Sequence, residues 1–380
     1  MCAGGRKASP CASRDALKAE GEVPGATGRT LTEEQLRSIR KILIIQYKPF
    51  GDVLLNTAYL PALRKRFPDA TIDFLVQRPF RTILADNPNL DNLIIMEKRK
   101  HKTPAYYRER IRVIREVRRL GYDMIIDHIR GPGSSQVCLF SGAKYRLGWN
   151  KLKPIFAPEK YNWVYNFRET RVKGIYSARA KFRLLKPLGI EETADNTFYG
   201  IRPESIEYID NWLRSTGIEG NELVVFSPAS PVNRKQWALE LFAETADMIK
   251  ESNDCTIVLL WGPGELDKAK LMALNMKYKP VIAPETTFNQ AGALLRKTRI
   301  YIGNDGGIIH LAVSQNTPSI AIFGSKTNPL NWTAWHQPIH RYVKNYDYSG
   351  KKDNSFGITP KMVCDKYIEL SEYLKKSKGS

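Results

Sequence analysis

For most of its length the chain repeats one pattern: a short unbroken apolar run, a turn rich in glycine or proline, then apolar residues at helical spacing. The run Ile42-Leu43-Ile44-Ile45 is followed by Pro49 and Gly51, and then by Val53, Leu54, Ala58 and Leu63. Such a run is too short for a surface helix, so it predicts a buried strand and then a helix over Asp52–Arg66. Strands Thr71–Val76 and Asn92–Ile95, a helix Pro104–Leu120 and a strand Met124–Asp127 follow, the last entering Gly131-Pro132-Gly133. Strands alternating with helices predict a parallel sheet covered on both faces.

A stretch rich in Trp, Tyr and Arg (about 145–185) and a helix over Pro203–Ser215 precede a second series. Its strands are Leu223–Ser227, Thr256–Trp261, Pro280–Ile282, Ile300–Gly303 and Ser319–Phe323, with helices near 239–250, 265–276, 288–297 and 306–315 between them. The fold class is α/β, with two doubly wound domains, residues 41–190 and 191–355, facing a cleft. Ligands of such sheets bind beyond the carboxyl ends of the strands. Residues 1–40, without apolar periodicity, read as a flexible extension, and residues 356–380 as an amphipathic helix packing back on the first domain.

Charge separates the two halves. Residues 41–186 hold 30 Lys and Arg against 12 Asp and Glu, whereas residues 187–380 hold 22 of each. The basic half therefore suits an anionic partner. Its densest part, 98–119, includes Arg108, Arg112 and Arg115; a solvated helix face is the plainer account of that run. Five scattered cysteines without a C-x-x-C pair argue against a disulfide framework or a zinc site and fit a reducing cytoplasm. No apolar run approaches the ~20 residues of a membrane span.

Four loops at predicted strand ends carry the candidate chemistry. In Tyr47-Lys48-Pro49-Phe50-Gly51-Asp52, the glycine admits another molecule close to the backbone, and Asp52 opens a helix as either an N-cap or a catalyst. Ser227-Pro228-Ala229-Ser230, with Arg234, Lys235 and Trp237 beyond it, offers hydroxyls and cations to a phosphate. Trp261-Gly262-Pro263-Gly264-Glu265 lacks the third glycine of a dinucleotide fingerprint, Asp267 standing in its place. The fourth loop, Gly303-Asn304-Asp305-Gly306-Gly307, opens a helix bearing His310, and its N–H groups suit a diphosphate. No G-x-S-x-G nucleophile motif and no D-x-D metal pair occurs.

Three segments, "ILIIQYKPFGDVLLNTAYLPALRKRFPDATI", "FSPASPVNRKQWALELFAETADMI" and "YIGNDGGIIHLAVSQNTPSIAIFGSKTNPLNW", in this order and spacing, resemble the heptosyltransferase-like glycosyltransferases of family 9. The resemblance covers about 41–375. It implies the two-domain GT-B fold and transfer of a sugar, typically heptose from ADP-heptose, to a lipopolysaccharide-core acceptor. It also implies inversion and no bound catalytic metal or other cofactor.

Carried onto this chain, the resemblance makes Asp52 the general base. It sets Ser227, Lys235, Gly262, Glu265, Asp305, Gly306, Gly307 and His310 around the donor, with Lys235 on the diphosphate and Glu265 near the nucleoside. The implied partners are a nucleotide sugar and an anionic glycolipid met by Lys48, Arg108, Arg112, Arg115 and Arg130, at the cytoplasmic face of the inner membrane and without nucleic acid. The chain departs from the family at Gly306, where threonine is common, and at Ala238, where proline usually follows the K-x-W tryptophan. Two alternatives stand beside this reading. One is a nucleic-acid-binding protein that interleaves the cations with Tyr106, Tyr107, Tyr145, Trp149, Tyr161, Trp163 and Tyr165. The other is a sugar-nucleotide epimerase on the same fold.

Overall fold

The structure, a computed structural model, describes residues 28–150, 162–172, 174–191, 196–348 and 353–378. Twelve strands form two sheets in which every pairing is parallel. The first contains β1 (Lys41–Ile45), β2 (Thr71–Gln77), β3 (Asn92–Met96), β4 (Met124–Asp127), β5 (Tyr145–Trp149) and β6 (Phe167–Glu169), ordered β3-β2-β1-β4-β5-β6. The second contains β7 (Leu223–Ser227), β8 (Thr256–Leu259), β9 (Val281–Ile282), β10 (Thr298–Asn304), β11 (Ser319–Ile322) and β12 (His340–Val343), ordered β12-β11-β10-β7-β8-β9. Counted within its own domain, each sheet has the same order. Each reverses direction beside its leading strand, between β1 and β4 and between β7 and β10, and the crevices of doubly wound sheets open at these points.

The apolar runs are buried as a two-faced sheet requires. Ile42, Leu43, Ile44 and Ile45 are all fully buried, each worth about 1.5–3 kcal/mol of transfer free energy. The segment expected as one helix over Asp52–Arg66 is broken: helix Phe50–Leu55, a 3₁₀ turn Asn56–Tyr59 and helix Leu60–Arg66 follow one another. Pro61 lies in the first turn of the last, where its missing N–H costs nothing.

Two expectations about the chain ends are corrected. Residues 1–27 lie outside the described part, but 28–40 are not a flexible tail. Thr32 and Gln35 close a capping box on helix Glu33–Arg37, and Leu31, Leu36 and Ile39 are buried in the first domain's core. Leu31 N–H also donates to Pro187 O at 2.9 Å, and Arg66 pairs with Glu33 at 2.6 Å. At the other end, helix Pro360–Lys378 packs on the second domain rather than the first, against helix Leu239–Ser252 and strands β11 and β12. Its Val363, Cys364, Tyr367 and Leu370 join the core that contains Phe242, Ala246 and Ile249. Amphipathicity shows that the helix has an apolar face; it does not say which of two similar α/β surfaces receives it.

Candidate active site

The loops after β1 and β10 meet across the cleft. Pro49, not Asp52, occupies the N-cap of helix Phe50–Leu55. Asp52 is the third residue of that helix and half-buried, so its carboxylate is not used as a cap, and the N-cap reading fails. Opposite, Gly306 caps helix Gly307–Ser314, whose fourth residue is His310. The His310 ring lies directly against Gly51: a Cβ on Gly51 would stand 2.6 Å from its Cδ2. Phe50 meanwhile lies against Gly307. His310 is buried, its Nδ1 has no hydrogen-bond partner, and burial pulls its pKa down to about 4 although Asp305 and Asp52 oppose the shift. The imidazole is therefore neutral at ordinary pH, with one donor and one acceptor nitrogen.

Behind this turn the second domain holds its cation in place. Lys235 Nζ pairs with the buried Asp305 carboxylate at 2.7 Å, and the lysine remains one-third exposed to the cleft. Asn304 bridges the two loops: its Oδ1 accepts from Trp237 N at 2.8 Å, and its Nδ2 donates to Pro228 O at 2.9 Å. Trp237 is fully buried and donates through Nε1 to Ser355 O at 2.9 Å, so it is the structural member of its motif. Ser227 is buried against the Tyr301 phenol. Glu265 accepts from Gly262 N at 3.0 Å and closes that turn. All the donor-side candidates thus lie at the carboxyl edge of the second sheet.

The acceptor-side candidates do not form one group. Lys48 is exposed on the loop that carries Asp52. Arg130 is buried, adopts a left-handed backbone (φ 48°), donates its N–H to Asp127 Oδ1 at 3.0 Å and binds Asn162 through its guanidinium. Arg112 is tied to Glu109, Glu116 and Ile95 O. Arg108 and Arg115 are exposed on helix Pro104–Leu120, with Arg115 about 10 Å farther along the axis from the carboxyl edge of the sheet.

The structure instead brings two unexpected cations toward Asp52, with a histidine beside them. Lys181, on helix Ser177–Phe182, is buried, and its pKa falls to about 8 through desolvation, which the nearby Asp52 opposes. Arg171 donates to His128 O at 2.8 Å, lies over the Trp149 ring at 5.2 Å, and is within electrostatic reach of Asp52. His128 is buried within electrostatic reach of both, and burial with these two cations holds it neutral.

Residues 110–355 match the sequence profile of glycosyltransferase family 9 (heptosyltransferase). The chain belongs to glycosyltransferase family 9. Among curated relatives of this glycosyltransferase, lipopolysaccharide heptosyltransferase 3 of Escherichia coli is 26% identical over 290 residues, covering 75% of this chain and 83% of that protein. Lipopolysaccharide heptosyltransferase 1 of Campylobacter coli is 25% identical over 344 residues, covering 88% and 97%. In three dimensions the glycosyltransferase superposes on a family 9 glycosyltransferase from Veillonella parvula with a TM-score of 0.74 at 20% identity, covering 88% and 97% of the two chains. It superposes on E. coli heptosyltransferase WaaC with ADP with a TM-score of 0.66 at 19% identity, covering 87% and 99%. Two facing doubly wound domains with these neighbours are the GT-B fold, as expected. Family membership also decides for a transferase over an epimerase.

Proposed function

We propose that this glycosyltransferase moves a heptose from ADP-heptose onto an acidic lipopolysaccharide-core or related glycolipid acceptor, with inversion and with Asp52 as the base. The contact of Gly51 with His310 carries this reading, because it holds a carboxylate of the first domain opposite an anion-binding turn of the second. The names of the relatives support the sugar and the acceptor, and WaaC has been solved with ADP and with ADP-2-deoxy-2-fluoro heptose.

In the reaction the acceptor hydroxyl oxygen forms a bond to the anomeric carbon as the bond from that carbon to the diphosphate breaks. Asp52 takes the hydroxyl proton, and ADP leaves on the opposite side. Charge growing on the leaving diphosphate meets the helix N–H groups beyond Gly306 and the Lys235 ammonium, which Asp305 holds in position. Neutral His310 supplies one further hydrogen bond without adding charge. In this reading the leaving group is neutralised without a resident metal.

Exposed Tyr107, Ile111 and Phe140 lie among Arg108, Arg115 and Arg118 on the first domain. That surface suits peripheral contact with an acidic membrane, at the cytoplasmic face where a lipid-linked acceptor is presented. Among the described residues no helix is long and apolar enough to cross a membrane.

The test is transfer from ADP-heptose to heptose-deficient lipopolysaccharide, read by mass shift of the acceptor, beside calorimetry with ADP. Transfer by the wild type and none by Asp52→Asn, with ADP affinity kept, is the expected result. A wild type that binds ADP and transfers nothing would overturn the donor or the acceptor, and one that binds no ADP the whole reading.

A further inference from the structure

Resting on that acceptor reading, we propose that Lys181 and Arg171, with the His128 imidazole beside them, form an anion site next to Asp52 that receives a carboxylate or phosphate carried by the acceptor. None of the three belongs to the three sequence segments that resemble family 9.

The geometry starts from helix Ser177–Phe182, which packs against helix Phe50–Leu55 and the turn Asn56–Tyr59. This brings Lys181 to Asp52 within the first domain, and within electrostatic reach of His310 across the cleft. Lys181 is only 6% exposed, yet it makes no hydrogen bond or ion pair with any described residue. Arg171 is exposed, and its hydrogen bond goes to a backbone carbonyl, His128 O, rather than to an acid. The His128 ring is stacked on Tyr59 at 5.2 Å and set edge-on to Trp149 at 6.0 Å, with Nδ1 and Nε2 both buried and without partners. Stacking fixes the ring and leaves its nitrogens unused.

A buried, unpaired lysine beside an imidazole with an unused N–H is costly to hold without an anion, and the exposed Arg171 guanidinium adds a second cation within reach of a ligand. Asp52 is within electrostatic reach of both cations and Asp127 of Arg171, but no closed ion pair joins Asp52 to Lys181: the ion pairs of the described residues include Lys235–Asp305 and none between Lys181 and Asp52. A counter-ion role alone would need one cation in contact with the carboxylate. The observed arrangement has two cations standing off it, neither closed into an ion pair with it. An acidic group bound there would bring a hydroxyl on the same sugar within reach of Asp52. A neutral sugar would leave both cations unpaired, so the site would also select against it.

Sugar carboxylates and sugar phosphates present the same oxyanion, and three probes separate them: methyl glucuronide, glucose 6-phosphate and neutral methyl glucoside. Each is titrated by ligand-observed NMR into the full chain saturated with ADP. At least one acidic probe should bind about tenfold tighter than the neutral one, as charge-assisted bonds to two cations imply. The acid that wins identifies the source. Lys181→Met and Arg171→Gln should each weaken that probe about fivefold or more while ADP affinity stays within about twofold. Lys181→Met should melt no lower than the wild type, because it removes an unpaired buried cation.

Equal binding of all three probes, or acid binding unchanged in both variants, overturns the site. Parallel loss of ADP affinity in both variants assigns these cations to the donor and also overturns it. If Lys181→Met fails to fold, Lys181 is structural, and the Arg171→Gln result decides by the same criteria. A wild type that binds ADP and transfers heptose without preferring acids sinks only this proposal, whereas failure to bind ADP sinks the functional reading beneath it.

Discussion

Replacing Gly51 with alanine sets two ordinary rules against each other. Gly51 is the second residue of helix Phe50–Leu55, where helix propensity alone favours alanine by up to about 1 kcal/mol. The structure predicts the opposite sign. The new methyl would stand 2.6 Å from His310 Cδ2 and 3.3 Å from Nε2, where carbon atoms prefer about 3.5–4 Å. The imidazole has little room to swing, being buried with the Trp332 ring 6.1 Å away on centroids. Either the ring leaves its rotamer or the two helix starts move apart, and overpacking of this kind costs about 1–3 kcal/mol. After the propensity gain, Gly51→Ala should destabilise by roughly 1–2 kcal/mol. It should also slow transfer, because Asp52 is carried on the displaced turn. A double-mutant cycle in urea with His310→Ala isolates the contact: with the ring gone, Gly51→Ala should become neutral or stabilising, a coupling on the order of 1–3 kcal/mol. If Gly51→Ala costs the same in both backgrounds, or stabilises the wild type, the two domains do not meet through this ring.

Four further outcomes are expected. Asp52→Asn should lower turnover about 10²–10⁴-fold with little change in ADP affinity; near-normal turnover would remove Asp52 from the mechanism. Lys235→Ala should weaken ADP by roughly 1.5–3 kcal/mol in calorimetry, and adding Asp305→Asn should recover stability lost to the stranded carboxylate but not affinity; restored affinity would contradict the diphosphate role. His310 titrates at about 4 in the folded chain against its ordinary 6.5, so the unfolded state binds the extra proton between those values. Its contribution is therefore intact above about pH 6.5 and lost toward pH 4, on the order of 3 kcal/mol. Urea midpoints against pH should show a shallower fall in His310→Gln, with His128 keeping part of the slope; identical slopes would refute the assignment. Reversing Arg108 and Arg115 to Glu should weaken binding to anionic vesicles by about 1 kcal/mol per residue at low salt, whereas unchanged binding would make this face a solvated one.

Much of the architecture was legible because strand burial is written into uninterrupted apolar runs. Helices Pro104–Leu120 and Pro203–Ser215 run to the residues their periodicity marks. Strands β5, β6 and β12 were not read, for local reasons. β5 contains Arg146 and Gly148, the latter because the Tyr165 ring occupies the space of a side chain, and β12 begins His340-Arg341. The four loops do converge at strand ends, since topology places every loop after a parallel strand on one edge. Lys181 and Arg171 carried no such signal: a cation in an aromatic stretch looks the same whether it faces solvent or a distant aspartate. Arg112 was a missed inference of another kind. Glu109 and Glu116 stand three before it and four after it, a spacing that already pairs it within its own helix.

Helix Pro360–Lys378 also sets the order in which the two halves become complete during synthesis. The first sheet is finished with β6, and its covering residues with Leu188, so that half can close while the rest is still being made. The second half lacks one wall until Val363, Tyr367 and Leu370 emerge, and the loop bearing Lys235 waits for Asn354 and Ser355, which accept from Ala238 N and Trp237 Nε1. At ordinary translation rates that interval lasts roughly 10–40 s. During it the Val224, Phe226 and Phe242 face stands open to chaperones or to aggregation. The half assigned to the acceptor thus exists before the half assigned to the donor can grip a nucleotide, and until the chain is finished it has no means to react.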